Sequence, residues 1–261
     1  MSEETEFDEE RIAAMERIYR TTSMVERRQR VRDALALKPG EHVLSVGTGP
    51  GFESRGLAKD VGENGRVHGI DTAEPMLATA RERCEDQPWA TFEQGDAANL
   101  PIEDGAFDAA AAVQVYEYVP DLNTAFDELY RALRPGGRAV VLTSDTSTMT
   151  YHAADEARSE QIVDTFAAHY TQPRLARTIK PKLEQANFEV NDQDVYVHFE
   201  TELTEDAVSG AFIPALKEIA TEQGGVDEVD VEAWVDDLHE RAEAGEYFFN
   251  YNQYLFVVEK P

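Results

Sequence analysis

Residues 47–52, Gly-Thr-Gly-Pro-Gly-Phe, place three glycines directly after the apolar run Val43-Leu44-Ser45-Val46. A glycine cluster between a strand and a helix lets a ligand approach the backbone and turns N–H groups toward it, which is the chemistry of nucleotide binding. The dinucleotide fingerprint G-x-G-x-x-G is missing, because the glycines stand at Gly47, Gly49 and Gly51 and the sixth place is Phe52. The Lys-Ser/Thr pair of a phosphate-binding P-loop is missing too. Asp71, 20 residues beyond Gly51, closes the next apolar run, where a carboxylate can accept both hydroxyls of a ribose. An adenosine without a phosphate fits these residues better than NAD does.

The elements that must position this chemistry follow from apolar runs and their punctuation. Helical spacing over 23–37 stops at Lys38-Pro39-Gly40, and the strand 42–46 follows. The pattern then alternates: helix 51–61, strand 66–70, helix 75–84, strand 90–93, strand 107–115, helix 122–133, the turn Arg134-Pro135-Gly136-Gly137, and strand 138–143. Short, nearly continuous apolar strands separated by helices predict a parallel sheet covered on both faces. Beyond Ser144 helices are expected over 155–168 and 180–186 and an alternating strand over 188–199. Two further helices over 205–223 and 231–244 precede a closing aromatic and β-branched strand, 247–259. The segment 203–245 reads as an inserted cap, and 1–38 as an N-terminal helical segment ahead of a domain over 39–261.

Charge excludes several functions. Asp and Glu number 52 against 24 Lys and Arg, for a net −28 spread along the chain. Nucleic-acid binding needs clustered cations, and an anionic membrane surface would repel this protein. No run reaches the length of a membrane span, and the acidic start MSEETEFDEE lacks the features of a signal peptide, so a cytoplasmic protein is expected. Six of the 24 basic residues are Lys. Such an acid-rich, Lys-poor composition is that of proteins from salt-loving microbes, where screening makes self-repulsion tolerable; a basic partner or simple solubility are the competing readings. The single cysteine, Cys84, excludes an internal disulfide and a cysteine-cluster metal site.

Four blocks stand in order: VLSVGTGPG, HGIDTAEPML, QGDAANLPIEDGAFDAAAAVQVYEYVPD and RALRPGGRAVVL. With them the chain resembles the class I S-adenosylmethionine-dependent methyltransferases over about residues 15 to 145, in particular the small-molecule "type 11" group that includes the ubiquinone and menaquinone C-methylases. The resemblance implies an α/β, Rossmann-like, doubly wound sheet of seven strands in the order 3-2-1-4-5-7-6, the last strand antiparallel. It implies S-adenosylmethionine as cofactor, with its methionine part over Gly47, Thr48, Gly49 and Gly51 and its ribose on Asp71. Thr72 and Met76 would flank the adenine, Asp96 and Ala97 would bond its edge, and Val113 and Gln114 would lie beside the sulfonium. Tyr19 and Arg28 resemble N-terminal residues that close over the cofactor, Arg28 meeting its carboxylate. Tyr19 also reads as a packing residue, and Arg28 as a solvated charge in the run Glu26-Arg27-Arg28. Ser45 departs from the family's usual Asp or Glu, which favours the cofactor's ammonium. The loss is on the order of 1 kcal/mol unless Glu53 or Asp71 compensates, and Ser45→Asp is expected to tighten binding.

Methyl transfer is an in-line displacement with an excellent leaving group, so positioning supplies most of the catalysis. A hydroxylated acceptor also needs a proton removed. The residues near the ends of strands four and five are Glu117, Tyr118, Asp145, Tyr151 and His152, and His152 has the best intrinsic pKa for that task. The same position suits a surface histidine. Tyr118 belongs to an aromatic set with Tyr116, Tyr151, Phe166, Tyr170, Phe212 and Trp234 that suits an apolar acceptor pocket or plain core packing. One cysteine argues against arsenite as acceptor, which leaves a small organic molecule, such as a quinone precursor. The alternative is a non-catalytic sensor or partner subunit that keeps the fold, a reading that Ser45 favours.

Overall fold

The computed structural model describes residues 9–222 and 224–261. Residues 1–8 of the expected N-terminal segment, and Gln223, the expected end of a cap helix, lie outside them. Two helices, α1 (Glu9–Arg20) and α2 (Thr22–Leu35), lead into β1 (His42–Val46), α3 (Phe52–Val61), β2 (Arg66–Asp71), α4 (Glu74–Arg83) and β3 (Ala90–Gln94). Then come β4 (Phe107–Val113), α5 (Leu122–Ala132), β5 (Leu133–Ser144), the two-residue β6 (Thr150–Tyr151), α6 (Glu156–Ala168) and α7 (Ile179–Gln185). The chain ends with β7 (Glu189–Glu200), α8 (Val208–Glu222), α9 (Glu228–Ala244) and β8 (Phe249–Glu259).

The strands pair in the order β3-β2-β1-β4-β5-β8, with β7 on the far side of β8 and β6 extending the β5 side of it. Pairings among β1 to β5 are parallel, and β8 is antiparallel to both β5 and β7. With β6 set aside, this is the expected seven-strand order. β6 was not expected, since two residues carry no periodicity. Strand four ends two residues early because Gln114 turns to φ +55, a conformation a strand cannot hold. Strand five begins five residues early. Leu133 pairs with Phe107 across a register shift, and the Pro-Gly-Gly turn is tied to the C-terminus by Gly136 N–H donating to the Lys260 carbonyl at 2.7 Å.

Both faces of the sheet are buried, as its continuous apolar strands require. Val31, Leu35, Leu57 and Val61 of α2 and α3 cover Val43, Ala109, Val140 and Leu142 on one face. Phe126, Leu129, Ile179 and Leu183 of α5 and α7 cover Leu44, Ala110, Ala112 and Val141 on the other. A third cluster stands at the end of the sheet, where α6, α8 and α9 bury Trp234, Phe212, Leu216 and Phe166 against Tyr151, Phe249 and Tyr251. This cluster reaches beyond 203–245, because α6 and Met24 of α2 share it. Among the described residues no helix is long and apolar enough to cross a membrane.

Candidate active site

The glycine loop runs from the end of β1 to the start of α3. Gly47 sits at φ +60, and a Cβ there would lie 2.3 Å from a Val115 methyl. Gly51 sits at φ +81, and its Cβ would meet Ala80 Cα at 2.8 Å. Both positions need glycine for conformation and for space. Thr48 N–H donates to the Ile70 carbonyl at 2.9 Å, and the Thr48 and Ser54 hydroxyls bond at 2.6 Å, which fixes the loop against β2 and α3.

Asp71 is bound to this loop. One carboxylate oxygen accepts Gly49 N–H at 2.7 Å and the other accepts Ala73 N–H at 3.0 Å. Burial raises its pKa from the ordinary 3.8 against the opposing pull of those backbone N–H groups. Each carboxylate oxygen keeps a lone pair for a ligand hydroxyl. Gly95 N–H donates to the Asp71 carbonyl at 3.0 Å, and Gln94 Nε2 to the Thr72 carbonyl at 2.8 Å, so the turn carrying Asp96 and Ala97 is joined to the end of β2. Asp96 is exposed and accepts Ala98 N–H at 2.7 Å; Ala97 is buried, Thr72 is exposed and Met76 is a buried helix residue.

Between the loop and α2 lies a narrow cleft, open to solvent, lined by Tyr19, Arg27, Arg28, Ser45, Glu53 and Val113 together with the loop. Its walls carry charges removed from water. Arg27, Arg28 and Glu53 are each less than a tenth exposed. Arg27 donates to Gln114 Oε1 at 2.6 Å, while its Nε, one terminal nitrogen of Arg28 and both carboxylate oxygens of Glu53 have no hydrogen-bond partner among the described residues. Burial pushes Glu53 up to about 7, against the attraction of Arg27, Arg32 and Arg28. Burial, reinforced by the neighbouring Arg27, brings Arg28 down to about 10. A buried polar group without a partner costs roughly 1–3 kcal/mol.

Helix α1 lies against the loop. The Tyr19 and Phe52 rings are 5.6 Å apart, and the Arg83 guanidinium stands 3.6 Å from the centre of Phe52 while its Nε donates to the Pro50 carbonyl at 2.6 Å. Arg83 also pairs with Glu16, which takes a second pair from Arg20 at 3.0 Å.

At the carboxyl ends of β4 and β5 a buried polar chain crosses the sheet. Gln114 Nε2 donates to Ser144 Oγ at 3.2 Å, as does Gln253 Nε2 at 3.4 Å. Gln253 Oε1 stands 3.1 Å from His198 Nε2, and His198 Nδ1 stands 2.7 Å from Ser23 Oγ on α2. Burial holds His198 down to about 4, so its ring is neutral; Nε2–H donates to Gln253 and Nδ1 accepts the serine hydroxyl. Glu117 is 1% exposed, with Oε1 accepting Ser144 N–H at 2.8 Å and Oε2 without a partner. Burial lifts it to about 7.

The structure thus gathers Tyr19, Arg28, Gly47, Thr48, Gly49 and Val113 around one cleft, brackets that loop between Asp71 and Gly51, and reaches Gln114 through Arg27. His152 does not join them. It is exposed, with its ring on Arg241 of α9 at 2.8 Å, because the β6–β8 pairing carries it outward along the cap. Tyr118 is 47% exposed and packs on Tyr170 at 5.0 Å, outside the lining of the cleft. Sequence reasoning passed over Arg27, His198 and Gln253. For Arg27 a signal existed: it stands with Arg28 on the α2 stripe Met24, Val31, Leu35, where a charge is out of place unless it has a task. For His198, in an alternating strand, no local signal exists.

A parallel sheet of this order, with a glycine loop after its first strand and a carboxylate closing its second, defines the Rossmann-like fold of class I S-adenosylmethionine-dependent methyltransferases. Residues 44–141 match the model of the methyltransferase domain family. It is 34% identical over 125 residues to a demethylmenaquinone methyltransferase of Desulfitobacterium hafniense, a match covering 47% of this chain and 49% of that one. It is 31% identical over 156 residues to an arsenite methyltransferase of Halobacterium salinarum, covering 59% of this chain and 39% of that one. The chain therefore spans less than half the length of these relatives. Among solved structures, Haemonchus contortus phosphoethanolamine N-methyltransferase 2 in complex with S-adenosyl-L-methionine has the same fold, with a TM-score of 0.63, 19% identity, and coverage of 99% of this chain and 58% of that one.

Proposed function

We propose that this protein transfers a methyl group from S-adenosylmethionine to a small organic acceptor with an ionisable hydroxyl, such as a reduced quinone precursor. The observation that carries the reading is the cleft itself: a glycine loop bonded to Asp71, faced by buried arginine and glutamate groups that lack partners. A zwitterionic amino-acid tail joined to a ribose answers that set of groups. When bound, the cofactor supplies an electrophilic methyl carbon on a sulfonium. Asp71 holds the ribose hydroxyls, Arg28 receives the carboxylate, and Val113 and Gln114 border the methyl-bearing end. Met76 and Thr72 flank the adenine, whose edge meets Asp96 and Ala97. Helix α1 closes over the cofactor through Tyr19, latched by the Glu16–Arg83 pair.

The acceptor enters beneath the cap. Glu117, at the end of β4 with one oxygen unpartnered and burial lifting it to about 7, takes the acceptor's proton in the place first given to His152. Cys84 is 3% exposed and burial pushes its thiol up to about 11, so it offers no thiolate for a metalloid; the arsenite chemistry in the halobacterial relative's name is not carried over. The net charge of −28 suits a salt-rich cytoplasm. Calorimetric titration with S-adenosylmethionine in molar KCl tests the first step, and labelled methyl transfer to a panel of hydroxylated rings and quinols tests the second. Failure to bind the cofactor overturns the reading.

A further inference from the structure

Ser45 leaves the cleft without the acid that the resemblance assigns to that position, and the cofactor's ammonium then needs another anion. Ser45 is 2% exposed and lines the cleft. Glu53 lines the same cleft from the first turn of α3. It is 8% exposed, and neither of its oxygens is bonded among the described residues. Around it stand Arg27, Arg28 and Arg32 of α2 and Asp60 of its own helix, while Tyr19 of α1 faces Arg27 and Arg28. A carboxylate buried this deeply with no hydrogen bond is costly, and the three arginines approach it without bonding it.

We propose that Glu53 is the ammonium-binding residue of this cleft, so that the anion lost from β1 at Ser45 has moved to the start of α3. This rests on the methyltransferase reading. Glu53 and the free nitrogen of Arg28 then form a pair of opposite charges that recognises the amino-acid tail as a zwitterion. The consequence is selectivity: ligands that keep the tail bind better than those that carry the same adenosine without it. Because Glu53 is partly protonated near neutrality, capture of an ammonium ionises it and releases a proton.

The test compares S-adenosylhomocysteine, which has the tail, with 5′-methylthioadenosine, which lacks it, by calorimetry on the wild-type protein, Glu53→Gln, and Glu53→Gln with Ser45→Asp. Loss of one charge-assisted hydrogen bond predicts a roughly 10- to 150-fold weaker affinity of Glu53→Gln for S-adenosylhomocysteine, with that for methylthioadenosine unchanged. The added Ser45→Asp restores most of the loss, which also shows that the fold is intact. At pH 7 the wild type releases a proton on binding S-adenosylhomocysteine, read from titrations in two buffers of different ionisation enthalpy, and Glu53→Gln releases none. Equal affinity of wild type and Glu53→Gln for S-adenosylhomocysteine overturns the proposal, as does equal loss toward both ligands. A wild-type protein that binds neither ligand overturns the methyltransferase reading itself.

Discussion

Replacing Asp71 by Asn tests the link between the glycine loop and the ribose. In the folded protein the carboxylate accepts two backbone N–H groups at once, from Gly49 at 2.7 Å and from Ala73 at 3.0 Å. An amide of the same shape has one oxygen, so its NH₂ must face one of those donors. Whichever N–H loses its acceptor is left in a half-buried site, at a cost of about 1–3 kcal/mol. A ribose hydroxyl that donated to the carboxylate loses a charged acceptor as well, worth about 1.5–3 kcal/mol. Asp71→Asn is therefore expected to lower the melting temperature by several degrees and to weaken adenosine ligands roughly 10- to 150-fold. Calorimetry with S-adenosylhomocysteine and methylthioadenosine should show the same loss for both, since both carry the ribose; this separates Asp71 from Glu53. An unchanged affinity for methylthioadenosine would refute the assignment, because the ribose would then not touch this carboxylate.

Other outcomes follow from the same geometry. Glu117 has a folded pKa raised from 4.5 to about 7, so its contribution to stability is complete below pH 4.5 and is lost as pH rises through 7. Glu117→Gln keeps an acceptor for Ser144 N–H, and should match the wild type at pH 4.5 yet exceed it at pH 8 by on the order of 3 kcal/mol in urea denaturation, while methyl transfer falls and cofactor affinity holds. Glu16→Ala removes the pair with Arg83 that ties α1 to α4 beside the loop, and should speed cofactor release several-fold in stopped-flow displacement with little change in melting temperature. Raising KCl from 0.1 to about 2 M should raise the melting temperature, as screening at a Debye length of about 3 Å relieves the repulsion of an excess of 28 negative charges; a flat or falling curve would count against the salt-adapted reading.

Much of this fold is legible locally. The run Val43 to Val46 reads as a buried strand and the alternating β and α segments as a parallel sheet, while the order of the strands came from the family resemblance. The glycine spacing and Asp71 were legible for the same reason: a chain turning from strand to helix at φ +60 and +81 needs glycine, and a carboxylate at the next strand's end is fixed by the parallel register Ser45↔Gly69 and Val46↔Ile70. His152 was misjudged because local sequence carries its intrinsic pKa but not the direction in which β6 points it.

What the tertiary structure alone decided is which charges meet and which are dry. Glu53 stands 25 residues from Arg28, and nothing local says that α2 lies across the loop so that both lose water, with the Glu53 oxygens and one Arg28 nitrogen finding no hydrogen-bond partner among the described residues. Likewise Ser23, His198, Gln253, Ser144 and Gln114 lie far apart in sequence and bond in one chain, because β7, β8, β5 and β4 end at the same edge beneath the cap. Backbone conformation and the succession of strands and helices depend on short-range sterics and hydrophobic period, so they are written in neighbouring residues. Desolvation and hydrogen-bond partnership depend on every segment packed around a group, so they exist only once the chain has folded.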